Sequence, residues 1–230
     1  MSKIGKKHRA ARDRAGIAQP VSLRDALQIS LTTAHAKFDE SLAVDIVLGI
    51  DAAKGEQNVR GAVVLPHGLG RKVRVAAFVK GEHEEAALAA GADFVGADDL
   101  VEKILGGWLE FDAAVATPDM MGVVGKVARV LGPRGLLPNK KVGTVTFDIK
   151  DVVAELKKGR VEYRNDKTGV LHAPFGRLSF GADKLAENFA QLLRAVVSSK
   201  PSTARGRYIK RVHISSTMGV GIPVNVDELL

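Results

Sequence analysis

The chain has 230 residues, 34 Lys plus Arg against 26 Asp plus Glu, a formal net charge of +8 and no cysteine. That length holds one large domain or two smaller ones, and the positive balance points to an anionic partner: nucleic acid first, an acidic protein or membrane surface next, with ordinary basic solubility as the plain alternative. The missing cysteines exclude disulfides, thiolate nucleophiles and cysteine-ligated zinc and agree with a reducing cytoplasm, and no run approaches the ~18 apolar residues of a membrane span.

The opening MSKIGKKHRAARDRAG sets Lys3, Lys6, Lys7, Arg9, Arg12 and Arg14 against Asp13 alone. No apolar segment follows to serve as a secretory core, so it reads as a basic arm, with an Arg-rich transit peptide as the alternative. Ser22 is placed to cap a helix from Leu23 to Ala36 with Leu23, Ala26, Leu27, Leu31 and Ala34 on one face. Next, Leu42, Val44, Ile46 and Leu48 alternate with Ala43, Asp45, Val47 and Gly49, the period of a half-buried strand, with Lys37 and Phe38 at its entrance. A polar turn, Asp51 to Asn58, leads to a second strand, Val59 to Leu65, and the two are expected to pair as a long hairpin.

Pro66-His67-Gly68-Leu69-Gly70 breaks the pattern, and from there VRVAAFV, EEAALAAG, ADFVG, DDLVEKIL and FDAAVATP alternate strand with helix. Short apolar strands separated by helices are the signature of a parallel sheet wound by crossover helices. The stretch Thr117 to Thr144 follows: Met121, Val124, Val127, Ala128 and Leu131 recur at helical spacing, Gly132-Pro133 stops the helix, and Gly135 and Pro138 restrict the next turn. That loop carries Arg134, Lys140 and Lys141 with no acid. It is built to grip phosphate, a merely solvated turn being the alternative. GTVT and a helix from Ile149 to Lys158 close the section.

Beyond Lys158-Gly159-Arg160 the texture is strand-rich again: RVEYRND, a turn at Lys167-Thr168-Gly169, VLHAPFG and RLSF. A long helix, Asp183 to Ser199, carries Leu185, Phe189, Leu192, Leu193 and Val196 on an apolar stripe, and a last strand RYIKRVHISS alternates basic and apolar residues before Thr217-Met218-Gly219. Residues 68–159 hold 13 Lys plus Arg and 13 Asp plus Glu, so all of the +8 lies in the flanks. Two strand-rich flanks sharing the net charge are expected to fold together, with the neutral middle as an insertion.

Chemistry-bearing motifs fare poorly. Gly68-Leu69-Gly70 lacks a third glycine and precedes a strand, whereas the dinucleotide signature follows one. Gly125-Lys126 is followed by Val127 where a phosphate-binding loop of the Walker type needs Ser or Thr. His8, His35, His67, His83, His172 and His213 have no metal-ligand spacing, so no metal site is expected. Ser179 lies one residue off the nucleophile-elbow pattern. Asp98-Asp99 and Glu84-Glu85 read as solvated helix faces rather than an acid and base pair. Gly122-Val123-Val124-Gly125 has only the outline of a KH-type loop. Binding features are stronger: Lys37-Phe38 beside a strand, and Arg205, Arg207, Lys210 and Arg211 on the last strand, favour phosphate and shape contacts over base stacking, a charge-protected strand edge being the alternative for the latter. The competing reading is an enzyme that uses the middle section as a nucleotide or small-molecule site.

The strings KFDES, GID, QNVRG, LPHGLG, GADFVG, GGW, FDAAVATPDMMG, LGPRGLLPN, NDKTG, HAP and STMG, spread over nearly the whole chain, resemble the large-subunit ribosomal protein L-one family in its bacterial form. The resemblance implies an α+β two-domain chain: a split outer α/β domain, residues 1–67 and 160–230, with an antiparallel sheet formed by both chain ends, and an inserted Rossmann-like three-layer α/β domain, residues 68–159, without a nucleotide cofactor. It further implies no catalysis, a cytoplasmic place in the large ribosomal subunit, binding to the mobile rRNA stalk, help in releasing exit-site tRNA, and repression of the protein's own operon mRNA. The free protein is expected to be a monomer with no membrane partner. By the same resemblance the RNA grip falls on Lys37, Phe38 and Ser41, on Arg164, Asp166, Lys167 and Thr168, and on Ser216, Thr217, Met218 and Gly219. Arg134, Lys140 and Lys141 form a secondary contact, and Pro66, His67, Gly68, Gly70, Lys158 and Gly159 a hinge. A glycine at 219 is expected to let RNA approach the backbone. Ser41 replaces a common Thr but keeps the hydroxyl, and Lys140 stands where Pro is frequent, a change expected to loosen its loop.

Overall fold

The computed structural model describes residues 5–16 and 19–229. In chain order they form α1 (Lys6–Ala15), α2 (Leu23–Thr33), β1 (Ser41–Leu48), β2 (Arg60–Val64), β3 (Val75–Phe78), α3 (Glu82–Ala89), β4 (Phe94–Gly96), α4 (Asp98–Leu105), β5 (Ala113–Ala116), α5 (Met121–Val124), α6 (Ala128–Leu131), α7 (Ile149–Lys158), β6 (Arg160–Asn165), β7 (Val170–Arg177), α8 (Gly181–Ser198), β8 (Ile209–Ser216) and β9 (Ile222–Val224). The chain divides into two compact units: Arg71–Arg160 is one, and the segments up to Gly70 and from Val161 onward make the other.

The outer unit is built on a six-stranded sheet in the order β2-β6-β7-β1-β8-β9. β1 lies antiparallel between β7 and β8, pairing Asp45 with His172 on one side and with His213 on the other. The expected hairpin of the first two strands does not form. Both edges of β1 are taken by chain from beyond the insertion, which leaves β2 at the far edge beside β6. Leu42, Val44, Ile46 and Leu48 all point into one cluster with Leu171, Phe175, Val212 and Ile214, and α2 and α8 close it with Leu27, Leu185, Phe189 and Leu192. Each such side chain contributes about 1.5–3 kcal/mol relative to exposure, so the alternation along β1 decides which sheet face the helices cover. The opposite face keeps Arg164, His172, Pro174 and Arg211 exposed.

Local chemistry sets several boundaries. Ser22 caps α2 by accepting the Asp25 N–H at 3.2 Å, and the helix stops at Thr33, short of Ala36, because Ala34 is extended (φ −57°, ψ 134°). Leu178–Phe180 is a short 3-10 helix rather than the expected strand. Gly5 to Gly16 is not merely an arm: α1 buries Ala11, and Gly16 ends it in the left-handed region. Lys3 lies outside the described residues.

In the inserted unit β3 is the centre of a three-stranded sheet, β4-β3-β5, and both pairings are parallel. The strands are buried on both faces: Ala76 and Phe78 pack with Leu100, Ile104, Val124 and Leu131, whereas Val75, Ala77 and Val79 pack with Ala87, Ile149, Val153 and Leu156. Helices therefore cover both sides, as parallel sheets require. The single helix expected over Met121 to Leu131 is broken by a 3-10 turn at Gly125–Val127 into α5 and α6. GTVT contributes an isolated parallel bridge, Ala116 to Val145.

Candidate nucleic-acid interface

Glu40 organises the end of β1. It continues the buried parity of Leu42, Val44 and Ile46 one step outward, and its side chain is fully buried. There its carboxylate accepts the Ala36 N–H at 3.0 Å, the Ser216 hydroxyl at 2.6 Å and the Met218 N–H at 3.1 Å. Burial pushes the carboxyl upward, but the bonds from Ser216, Met218, Ala36 and His35 outweigh it and hold the group below the ordinary glutamate value. The charged form is thus the one the fold prefers. Thr217 adds a second tie: its N–H donates to the Ser41 carbonyl at 3.0 Å, and its hydroxyl accepts the Ser41 N–H at 3.1 Å.

The neighbouring Asp39 is anchored separately, accepting the Ser179 N–H at 3.1 Å and hydroxyl at 2.8 Å, with Arg177 at 3.7 Å. With Glu40 buried and Asp39 engaged at the surface, Phe38 is left 57% exposed and Met218 52% exposed. Lys37 and Ser41 are exposed as well. Gly219 also has an internal role: a Cβ there would crowd Ser216 Oγ, so the glycine makes room for the hydroxyl that donates to Glu40.

Arg164, Asp166, Lys167 and Thr168 do not join this patch. Val47 pairs with Val170 whereas Leu42 pairs with Ser216, so the β6–β7 turn sits at the other end of β1. At the strand rise of about 3.3 Å per residue the two groups are roughly 20 Å apart. Asp166 accepts the N–H groups of Thr168 and Val170, each at 2.8 Å, and the Thr168 hydroxyl at 2.7 Å. Those bonds, the Thr168 hydroxyl first, lower its pKa. Asp166 and Thr168 thus brace the turn, and Lys167 is presented at its exposed tip.

Arg134, Lys140 and Lys141 are exposed in the inserted unit. Hydrogen bonds shape the loop holding Lys140: Asn139 accepts the Lys141 N–H at 2.8 Å, its own N–H donates to Thr144 Oγ1 at 2.8 Å, and Gly143 turns at φ +78°. The Arg160 guanidinium closes it further by donating to the Val142 carbonyl and to Glu155.

Of the residues expected as a hinge, His67 and Gly68 are tied to α8 within the outer unit. Asn188, fully buried on α8, accepts the His67 N–H at 3.0 Å and donates to the Gly68 and Phe175 carbonyls at 3.0 and 2.9 Å. His67 also meets Glu187 at 2.6 Å, while Pro66 and Gly70 are exposed beside it. On the return path Gly159 caps α7 at φ 107° and follows Lys158 within the inserted unit. The unit boundaries fall after Gly70 and after Arg160.

Glu40, Asp39 and Asn188 carry the architecture of these segments and were not singled out by motif. The parity of β1 was the available signal for Glu40; for Asn188, an amide on the apolar stripe of α8 was.

The profile of the Ribosomal protein L1p/L10e family matches residues 30–220. Large ribosomal subunit protein uL1 of Nitratidesulfovibrio vulgaris (strain DSM 19637 / Miyazaki F) is 55% identical over 225 residues, which cover 98% of this chain and 96% of that protein. Both matches run through the two segments that Glu40 ties together, and the chain belongs to the Ribosomal protein L1p/L10e family, whose members are structural ribosomal components and not enzymes.

Proposed function

We propose that the outer unit grips the rRNA stalk of the large ribosomal subunit, in the cytoplasm, through Lys37, Phe38, Ser41, Ser216, Thr217, Met218 and Gly219. The observation that carries this reading is the pairing of two exposed large apolar side chains, Phe38 and Met218, on either side of one buried carboxylate. An isolated exposed apolar residue is ordinary, but two of them set on a hydrogen-bonded frame are a preorganised contact. RNA is recognised largely by shape, by stacking on exposed side chains and by contacts to the 2′-hydroxyl, and a rigid patch of hydroxyls, amides and one aromatic ring suits that chemistry.

Arg164 and Lys167 act at the other end of β1, on a turn that Asp166 and Thr168 shape. Arg134, Lys140 and Lys141 supply a second phosphate contact from the inserted unit. A monomer of two units, joined by two crossings at Gly70–Arg71 and Arg160–Val161, suits a protein that follows a moving stalk and helps exit-site tRNA leave. The same patch represses the protein's own operon wherever its mRNA copies the stalk structure.

The test is to sequence and footprint the RNA that copurifies with the protein, then repeat with Met218→Asp. Protection of stalk rRNA that disappears in the folded variant is expected. Equal protection by both proteins places the grip elsewhere.

A further inference from the structure

β8 interrupts its own alternation. Between Val47 and Leu48 the register with β1 shifts, so that Leu48 pairs with Ile209 rather than Lys210. The result is a burial pattern in which two consecutive residues, Lys210 and Arg211, are both exposed. Strict alternation would send one of them toward the helices; a bulge re-aims a side chain at the cost of one unpaired ladder position. Both cations line a cleft of about 370 Å³ against β9, together with Arg207, His213 and Asp227.

The charges in this cleft are not balanced from within. Asp227 is engaged by Arg207 at 2.5 Å. Asp45, which lies beside His213 on the same sheet face, is engaged by His172 at 2.6 Å on its other side. Among the described residues, Lys210 and Arg211 form no ion pair and no side-chain hydrogen bond. Two adjacent cations without a counter-charge, in a cleft on a unit that holds +7 of the chain's net +8, call for an anion with closely spaced charges.

We infer that this cleft is a second RNA site, in which Lys210 and Arg211 take successive phosphates of the backbone and His213 lines the floor. The inference rests on the reading that the protein binds RNA. It adds a contact that carries no sequence information and that lies away from the Phe38 and Met218 patch. Arg164, His172, Asp45 and His213 form one cross-strand row leading from β6 to the cleft.

The test uses the full chain, the double variant Lys210→Gln/Arg211→Gln and, separately, Met218→Asp. Affinity is measured across a salt series for a transcript of the stalk rRNA and for an RNA duplex of unrelated sequence. Each phosphate contact contributes about 0.9 to the slope of log affinity against log salt. The double variant is therefore expected to lose about 1.8 in slope on both RNAs, which makes its affinity loss over a fourfold rise in salt about tenfold smaller than that of the parent. Its thermal midpoint stays the same, and Met218→Asp loses the stalk transcript while keeping the unrelated duplex. Unchanged slopes in the double variant overturn the cleft assignment and leave the stalk reading standing. Stabilisation of the parent by inorganic phosphate or a nucleoside diphosphate, lost in the double variant with RNA slopes unchanged, also overturns it in favour of a small-anion pocket. Failure of the parent to prefer the stalk transcript over the duplex sinks the stalk reading, whatever the cleft does.

Discussion

Replacing Glu40 by Gln removes one charge and keeps nearly the same shape. The carboxylate accepts from Ser216 and Met218 through one oxygen and from Ala36 through the other. A carboxamide has only one acceptor oxygen, so whichever way it is turned its NH2 faces a backbone N–H or the Ser216 hydroxyl. A buried donor left unsatisfied costs about 1–3 kcal/mol, and each surviving bond drops from charge-assisted to neutral strength, about 1 kcal/mol apiece. Relief of charge burial offsets part of this, and a net loss of about 2–4 kcal/mol is expected. The lowered Glu40 pKa is consistent with that sign, the bonds to the carboxylate outweighing its burial. Urea unfolding of the outer unit at neutral pH reads the loss as a lower midpoint with unchanged slope. The same linkage gives a pH signature. A carboxyl held below its ordinary value near 4.5 stabilises the fold above that pH, and the contribution disappears as pH falls through the lower folded value. The parent and Glu40→Gln are therefore expected to converge on acidification below about pH 4.5. Affinity for stalk RNA in the folded variant falls by about tenfold or more, since every 1.4 kcal/mol of disorder in the patch is worth that factor. A midpoint and an RNA affinity both equal to the parent's would refute the reasoning.

Gly219→Ala is expected to lower RNA affinity by displacing the Ser216 hydroxyl from Glu40, with a stability loss of about 1–2 kcal/mol for the weakened bond; paired thermal melts and binding curves check it, and an alanine that binds normally means the hydroxyl has room to turn. Asn188→Ala strands the His67 N–H and two carbonyls, which predicts a loss of roughly 3–5 kcal/mol and faster amide exchange at His67; exchange equal to the parent's would show that the crossing segment is held by something else. Asp166→Ala is expected to leave the fold cooperative while loosening the β6–β7 turn, read as greater mobility of Thr168 and Val170 amides by nuclear magnetic resonance relaxation, with a drop in RNA affinity smaller than that of Met218→Asp.

Much of the outer unit was legible because period-2 alternation along residues 41–48, 160–165 and 170–177 and the apolar stripe of α8 reflect burial on one face. The order of its strands was not. Alternation says which face of β1 is buried and nothing about which strand lies beside it, so the local guess of a hairpin with β2 failed against pairings across more than a hundred residues. RLSF failed for a related reason: Leu178 to Phe180 is apolar enough for a strand, but it follows the last paired residue of β7 and turns into α8. At the proposed interface, Phe38 and Met218 were named from family likeness, and both side chains are exposed. Glu40 was hidden by its type, because a carboxylate is read as solvent-facing unless its three donors are known. The braced turn of Asp166 shows the converse: a polar residue that looks available for a ligand spends its oxygens on its own backbone.

The placement of β8 against β1 has a consequence for synthesis. The inserted unit is contiguous in the chain and contains all of its own strands, so it can fold as soon as it emerges. The outer sheet cannot, since its central strand waits for a partner made some 170 residues later. Until Ser216 and Met218 arrive, Glu40 lacks two of its donors and the frame around Phe38 and Met218 is incomplete. The turn after β8 thus reports that the outer sheet is complete: a product truncated before it keeps the strands of the insert but cannot close the frame around Glu40.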